Sequence, residues 1–459
     1  MPKPDMNILL ILTDDQRHDT IGALGNAYVH TPHMDSLVAT GTSFERCHIM
    51  GGTVPAVCCP SRAMLHTGRD LFRVHEHGRE VPDDHILIGE HLRAHGYATY
   101  GVGKWHNSRK ACHRSFTGGG ALYFGGMANH WKVDYNDFDS SGAYPEEERV
   151  RHEGMHSTDR CTEEAVRVLR DHNPEQPFFL SLNYLAPHDP RTMPERYVKR
   201  YENTLPPVPG NFLPAHPFDN GELRVRDEKL AGFPRTPEEI QQHLAEYYAM
   251  VDHLDEALGQ VLAELDRTGM REDTLIIFSG DNGLAVGQHG LMGKQSCYDH
   301  SLRVPLIFNG PGVPRGKMRR QLCYLHDVFP TVCTALGFAC PSSVTSRDMW
   351  STVVHDTSHR SHIFAGYKDY SRSISRDDGW KLVVTTPNAI ELHRQLFYIP
   401  DDPLEQFNLI NDRDAPADLL ADLQRELIET SIAEEDPWSF RQEFMNRVGV
   451  PRSTYVHPH

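Results

Sequence analysis

Asn7-Ile8-Leu9-Leu10-Ile11-Leu12-Thr13-Asp14-Asp15-Gln16 is an unbroken apolar run that stops on two adjacent carboxylates. A strand with one wet face alternates apolar and polar residues. This one does not, so it reads as a strand buried on both faces. The chain repeats the pattern outward from here. Pro177–Leu185 (PFFLSLNYL), Thr274–Ser279 (TLIIFS), Val304–Phe308 and the shorter Ala98–Val102 read as further strands. Asp35–Gly41, Ile86–Gly96 and Glu163–Asp171 carry helical spacing, and Pro237–Thr268 reads as one long amphipathic helix or a pair. Such alternation predicts an α/β fold, a mostly parallel sheet flanked by helices. Ligands of these sheets gather beyond the carboxyl ends of the strands.

From about His355 the runs shorten. Ser361–Tyr367, Ser371–Arg376, Trp380–Thr385 and Gln395–Tyr398 read as antiparallel strands, with a helix at Pro416–Ser431 against them. The expected division is residues 1–355 as the larger unit and 356–459 as a smaller C-terminal α+β unit. The tail from Asp436, rich in Arg, His and Pro, reads as an extended wrap or a flexible end.

Bulk properties narrow the function. The 459 residues are 39% hydrophobic and 24% charged, which suits a globular chain with ample core. A net charge of -17 argues against a nucleic-acid partner, although a few local cations can reverse the field inside one pocket. The early apolar run is far too short to span a membrane, and the start lacks the basic residues of an export signal. A cytoplasmic protein is expected, or a periplasmic one if a leader has been removed. Nine cysteines with no C-x-x-C pair suit neither a disulfide framework nor a zinc site.

Two strand ends carry oxygen donors. Asp14 and Asp15 follow the first strand, and their repulsion is relieved by a hard cation such as Ca²⁺ or Mg²⁺. Ser279-Gly280-Asp281-Asn282-Gly283 follows TLIIFS and adds a carboxylate and an amide oxygen. Either turn alone is equally an ordinary surface turn; together Asp14, Asp15, Asp281 and Asn282 make a four-residue oxygen shell. A third run, Ala56-Val57-Cys58-Cys59-Pro60-Ser61-Arg62-Ala63-Met64-Leu65-His66-Thr67-Gly68-Arg69, has Pro60 suited to the first turn of a helix and Gly68 to its end. Cys58 then sits just before a helix N-terminus, where free amides favour an anion. The bland alternative is a buried cysteine beside a capped helix.

The run Cys58 to Arg69 resembles the C-x-P-S-R…L-T-G-R signature of type I sulfatases, with Cys59 at the variable position and His66 where an apolar residue is usual. Gly101-Val102-Gly103-Lys104-Trp105-His106 resembles the family's G-K-W-H segment, and Ala186-Pro187-His188-Asp189-Pro190 its A-P-H-x-P segment. Gln288-His289-Gly290-Leu291-Met292-Gly293-Lys294 resembles G-E-H-G-L-x-x-K, with Gln288 departing from the usual Glu. The likeness continues through Arg303–Leu306, Asp327–Thr331 and Asp402–Glu405.

The resemblance implies an alkaline-phosphatase-like α/β fold with a small C-terminal domain on a four-stranded antiparallel sheet. It implies that a maturase, a transient partner, oxidises Cys58 to formylglycine, whose hydrated aldehyde attacks a sulfate ester. One divalent ion, Ca²⁺ before Mg²⁺ or Mn²⁺, sits among Asp14, Asp15, Asp281, Asn282 and residue 58. Arg62, Lys104, His188 and Lys294 stabilise charge, His106 takes the proton that lets sulfate leave, and His188 or Lys294 protonates the leaving group. The expected substrate is a small sulfated molecule, foremost a saccharide; choline sulfate and aryl sulfates are alternatives. A phosphonate monoester or phosphodiester hydrolase of the same superfamily, and a catalytically silent binding protein, are the competing readings. Phe116–Tyr144, His75, His77 and Arg79 are candidates for the pocket mouth, and a homo-oligomer is left open.

Overall fold

The structure is a computed structural model, and it describes residues 6–387, 391–412, 416 and 418–437. The tail expected to wrap or flex lies outside these residues apart from Asp436 and Pro437.

The strands are β1 (Asn7–Thr13), β2 (Thr42–His48), β3 (Gly51–Gly52), β4 (Ala98–Lys104), β5 (Gly118–Tyr123), β6 (Asp134–Tyr135), β7 (Val150–Arg151) and β8 (Phe178–Asn183). After these come β9 (Thr274–Gly280), β10 (Leu306–Asn309), β11 (Lys317–Tyr324), β12 (His362–Tyr367), β13 (Ser371–Arg376), β14 (Trp380–Thr385) and β15 (His393–Tyr398). Eight of them form one sheet in the order β11-β2-β10-β9-β1-β8-β4-β5. β10 alone runs antiparallel to its neighbours, and the other pairings are parallel. β1 lies near the middle with every residue buried. Its even-numbered apolar residues, Ile8, Leu10 and Leu12, enter one core, and Leu9 and Ile11 enter another. That is the two-faced burial the unbroken apolar run demands.

The helices are α1 (Pro32–Thr40), α2 (Cys58–Thr67), α3 (Ile88–Ala94), α4 (Arg109–Ser115), α5 (Ser157–Asp171), α6 (Glu195–Val198), α7 (Pro237–Arg267), α8 (Asp299–Leu302), α9 (Val328–Leu336), α10 (Trp350–His355) and α11 (Leu419–Ala433). Residues of α1, α5 and α7 cover one face of the sheet, through Leu37, Ala165 and Leu258. Residues of α2, α3, α4 and α9 cover the other, through Leu65, Leu92, Ala111 and Val332. α7 is one helix of 31 residues rather than a pair, opened by Pro237 and by Thr236, whose side chain accepts from the Glu239 amide. None of the described helices is long and apolar enough to cross a membrane.

The second sheet has the order β15-β14-β13-β12-β3. Its four later strands pair antiparallel, and α11 packs on them through Leu423, Leu427 and Ile428. The fifth strand was not expected: Gly51 and Gly52 pair in parallel with Gly366 and Tyr367. A Cβ on Gly51 would lie 2.1 Å from the Gly366 carbonyl oxygen, so this contact requires glycine. The chain leaves α10 at His355 with Asp356 in a left-handed turn, and then enters β12.

Candidate active site

Register brings the two acidic turns together. Thr13 lies opposite Gly280 in the β1–β9 pair, so Asp14 and Asp281 leave the sheet side by side. The Asp281 amide donates to the Thr13 carbonyl at 2.9 Å. On the other flank β4 and β8 end level with each other, Gly103 opposite Asn183. Gly103 holds φ +86 with its would-be Cβ 1.9 Å from the Asn183 carbonyl, and a register shift begins there. A side chain at 103 would push the strands apart and carry Lys104 away from Asp14.

The four expected oxygen donors converge, all at most 1% exposed. Asp14 pairs with Lys104 through Oδ2. Asp15 Oδ1 accepts from Lys294 Nζ at 2.5 Å and Asn282 Nδ2 at 2.7 Å. Asp281 accepts from the Asp15 amide at 3.1 Å and from Arg62 Nε at 2.8 Å. Three oxygens remain buried without a hydrogen-bond partner: Asp14 Oδ1, Asp15 Oδ2 and Asn282 Oδ1. Leaving such atoms dry and unpaired costs several kcal/mol of solvation, roughly 1–3 each by mutational measures. A hard divalent cation supplies what all three lack. Ligand atoms of Asp14, Cys58 and Asp281 lie within 4.8 Å of one another, as do those of Asp14, Asp15 and His188. The residues therefore fit a divalent metal.

The charges balance before any ion enters: Asp14, Asp15 and Asp281 against Arg62, Lys104 and Lys294. A divalent cation leaves the nest positive by two and ready for an anion. Burial raises the Asp14 pKa, but Lys104 and then His188 overcome it and hold the carboxyl well below the usual range. Burial and the charge of Asp14 push Asp281 up to about 6 against the pull of Arg62.

Cys58 is the first residue of α2, whose every side chain is buried and whose Gly68 cap is left-handed. Its Sγ lies 3.3 Å from His106 Nδ1, 3.6 Å from Lys104 Nζ and 3.9 Å from Lys294 Nζ. Burial raises the thiol pKa despite both lysines, so an unmodified Cys58 is held as a weakly nucleophilic thiol. Burial and Lys104 push the His106 pKa well below its ordinary value, which keeps the imidazole neutral. Arg62 donates to Asp281 and to the Lys104 carbonyl (2.7 Å), and its Nη2 is buried with no partner. His188 Nε2 stands 3.6 Å from Asp15 Oδ2 while Nδ1 is 2.7 Å from the Asp189 carbonyl. Asp15 and His106 both hold positive φ, 64° and 67°, a backbone geometry that non-glycine residues rarely adopt.

Other expected residues fall elsewhere. His289 stacks on Tyr298 and lies 3.0 Å from the Glu405 carbonyl, in a structural network rather than in the nest. His66 packs against Trp105 with ring centroids 4.5 Å apart. His75 is exposed, and His130, taken as a mouth residue, is buried 2.8 Å from the His188 carbonyl. Two supports were missed. Ser61 Oγ donates to the Asp281 carbonyl at 2.5 Å; it stood inside the quoted Cys58 run without an assigned role. Tyr247 on α7 donates to the Asp15 carbonyl at 2.6 Å and accepts from the Arg17 amide, fixing the turn, and nothing local in the sequence marks it.

Residues 6–338 match the protein family described as Sulfatase. An arylsulfatase of Clostridium perfringens is 26% identical over 98% of this chain and 99% of its own length. An N-acetylglucosamine-6-O-sulfatase of Bacteroides thetaiotaomicron is 25% identical over 75% of this chain and 70% of its own. Among solved structures, one in complex with its substrate D-glucosamine-2-N,6-O-disulfate has a TM-score of 0.80 at 20% identity, covering 96% of this chain and all of the other.

Proposed function

The chain belongs to the sulfatase family, and from that premise we propose that it hydrolyses a sulfate monoester on a saccharide, with residue 58 as the nucleophile. The observation that carries this reading is the trio of unpaired buried oxygens, Asp14 Oδ1, Asp15 Oδ2 and Asn282 Oδ1, beside the side chain of Cys58. In the proposal a maturase converts Cys58 to formylglycine, and the Cys58 Sγ marks the position of the hydroxyl that attacks sulfur. Asp14, Asp15, Asp281 and Asn282 hold the divalent ion, for which Ca²⁺ is favoured by the all-oxygen donor set. When bound, that ion polarises the sulfate oxygens and lowers the pKa of the attacking hydroxyl.

The chain's own groups do the rest. Lys104 and Lys294 flank residue 58 and offset charge on the sulfuryl oxygens, and Arg62 turns its one unpaired nitrogen to the same ligand. His106, neutral and 3.3 Å from Sγ, takes the proton whose departure from residue 58 releases sulfate and restores the aldehyde. His188 and Lys294 are the acids available to the leaving oxygen. The saccharide assignment draws on the N-acetylglucosamine-6-O-sulfatase relative.

Protein coexpressed with a maturase is to be tested on a panel of sulfated saccharides and on paired aryl sulfate and aryl phosphonate esters. The expected result is desulfation that needs formylglycine at position 58 by mass spectrometry and is abolished by chelation. Faster turnover of the phosphonate, or full activity with an intact Cys58 thiol, overturns the reading.

A further inference from the structure

A cavity of about 740 Å³ opens beside the segment that follows His106, with Asn107 and Ser108 in its lining. Gly126 packs so closely that a Cβ there would sit 3.0 Å from His106 Nε2, and its neighbours Phe124 and Gly125 line the cavity, as does Asn107. Asn107 also donates to the Cys59 carbonyl at 3.2 Å, so the cavity adjoins the segment that carries residue 58.

The lining is basic on an acidic protein. Arg79, Arg109, Lys110, Lys132 and Arg149 face it, against the two acids Glu80 and Asp134. Asp134 is already committed to Arg151, with contacts of 2.7 and 2.8 Å. Lys110 pairs with Asp83, and Arg109 and Arg149 share Glu146 on the rim. Arg79 and Lys132 have no ion-pair partner among the described residues. Scattered surface cations are usually solvated and mean little. Here they cluster in one concavity next to the segment that carries residue 58, in a chain with net charge -17, which concentrates positive potential at that spot. Phe124 contributes an aromatic wall with the Arg109 guanidinium 5.7 Å from its ring centroid, a combination suited to the apolar face of a sugar ring beside an acid group.

We propose that this cavity is a subsite for a second anionic group of the substrate, a carboxylate or sulfate on the sugar ring adjoining the one whose ester is cleaved, held chiefly by Arg79 and Lys132. The proposal rests on the saccharide sulfatase reading and narrows it to polyanionic saccharides.

The test is equilibrium binding by calorimetry to the full-length Cys58→Ala protein with calcium present, which removes turnover from the readout. Three disaccharides share one sulfate ester and differ on the adjoining ring: neutral, carboxylate-bearing and sulfate-bearing. An acid-bearing ligand is expected to bind about tenfold more tightly than the neutral one, the sum of two exposed charge contacts. In Arg79→Ala/Lys132→Ala the preference falls to within about twofold, and raised salt shrinks it in the parent protein. Both side chains are exposed, so folding is preserved, and Lys132→Glu gives a second, graded variant. Whichever acid gains more identifies the group. Equal binding of all three ligands, or a preference that survives the double substitution, overturns the subsite. A preserved preference in Cys58→Ala, alongside no hydrolysis of any sulfate ester by the matured wild-type protein, leaves the subsite standing and refutes the catalytic reading instead.

Discussion

The floor of the site and its rim both gather arginines and lysines, and they use them in opposite ways. On the floor, Arg62, Lys104 and Lys294 are at most 3% exposed, and each is locked to one buried carboxylate. On the rim, Arg149 is 30% exposed against a Glu146 that is 72% exposed, and Arg79 stands in solvent. A buried pair cannot lose one partner without stranding the other in a dry interior. An exposed pair trades its partner for water at almost no cost. The floor is thus committed to one geometry, while the rim is free to be revised toward a different ligand.

Four substitutions sharpen this contrast. Cys58→Ala removes the proposed nucleophile, and turnover of a sulfate ester should fall by at least about 10⁴-fold, read against protein of the same metal content. His106→Ala leaves the nest intact but takes away the proposed proton acceptor; kcat should drop roughly 10²–10⁴-fold with a much smaller change in KM. Arg62→Met strands Asp281 and unpins the Lys104 carbonyl, and urea unfolding should show a loss of about 3–5 kcal/mol. Arg149→Ala, by the same assay, should cost under about 0.5 kcal/mol. If the last two come out alike, the distinction between floor and rim is wrong.

Much of this was legible in the sequence because it depends on local strings. NILLILT requires two covered faces whatever surrounds it, and Asp14 and Asp281 each follow such a run directly. Three strands of the larger sheet escaped notice for physical reasons. β5 begins with three glycines, which look like a loop, and it survives as an edge strand on backbone pairing to β4. β11 is the opposite edge, with Lys317, Met318 and Arg320 exposed, so its pattern is not that of a buried strand. β2 carries Glu45 and Arg46 in its middle for the same reason, lying next to that edge. Tyr247 was invisible because its role is fixed by a partner 232 residues away. His289 illustrates the converse: it stands at the motif's His position, beside the departure at Gln288, yet its ring is turned into the Tyr298 stack.

The short β3 pairing has a temporal side. Gly51 and Gly52, a few residues before Cys58, find their sheet partners only at Gly366 and Tyr367. A ribosome adding about 5–20 residues per second needs roughly fifteen seconds to a minute to deliver them. Through that interval the stretch leading to Cys58 emerges without its final anchor, and a processing enzyme that works on nascent chain has time to reach a sulfur that the finished protein seals away.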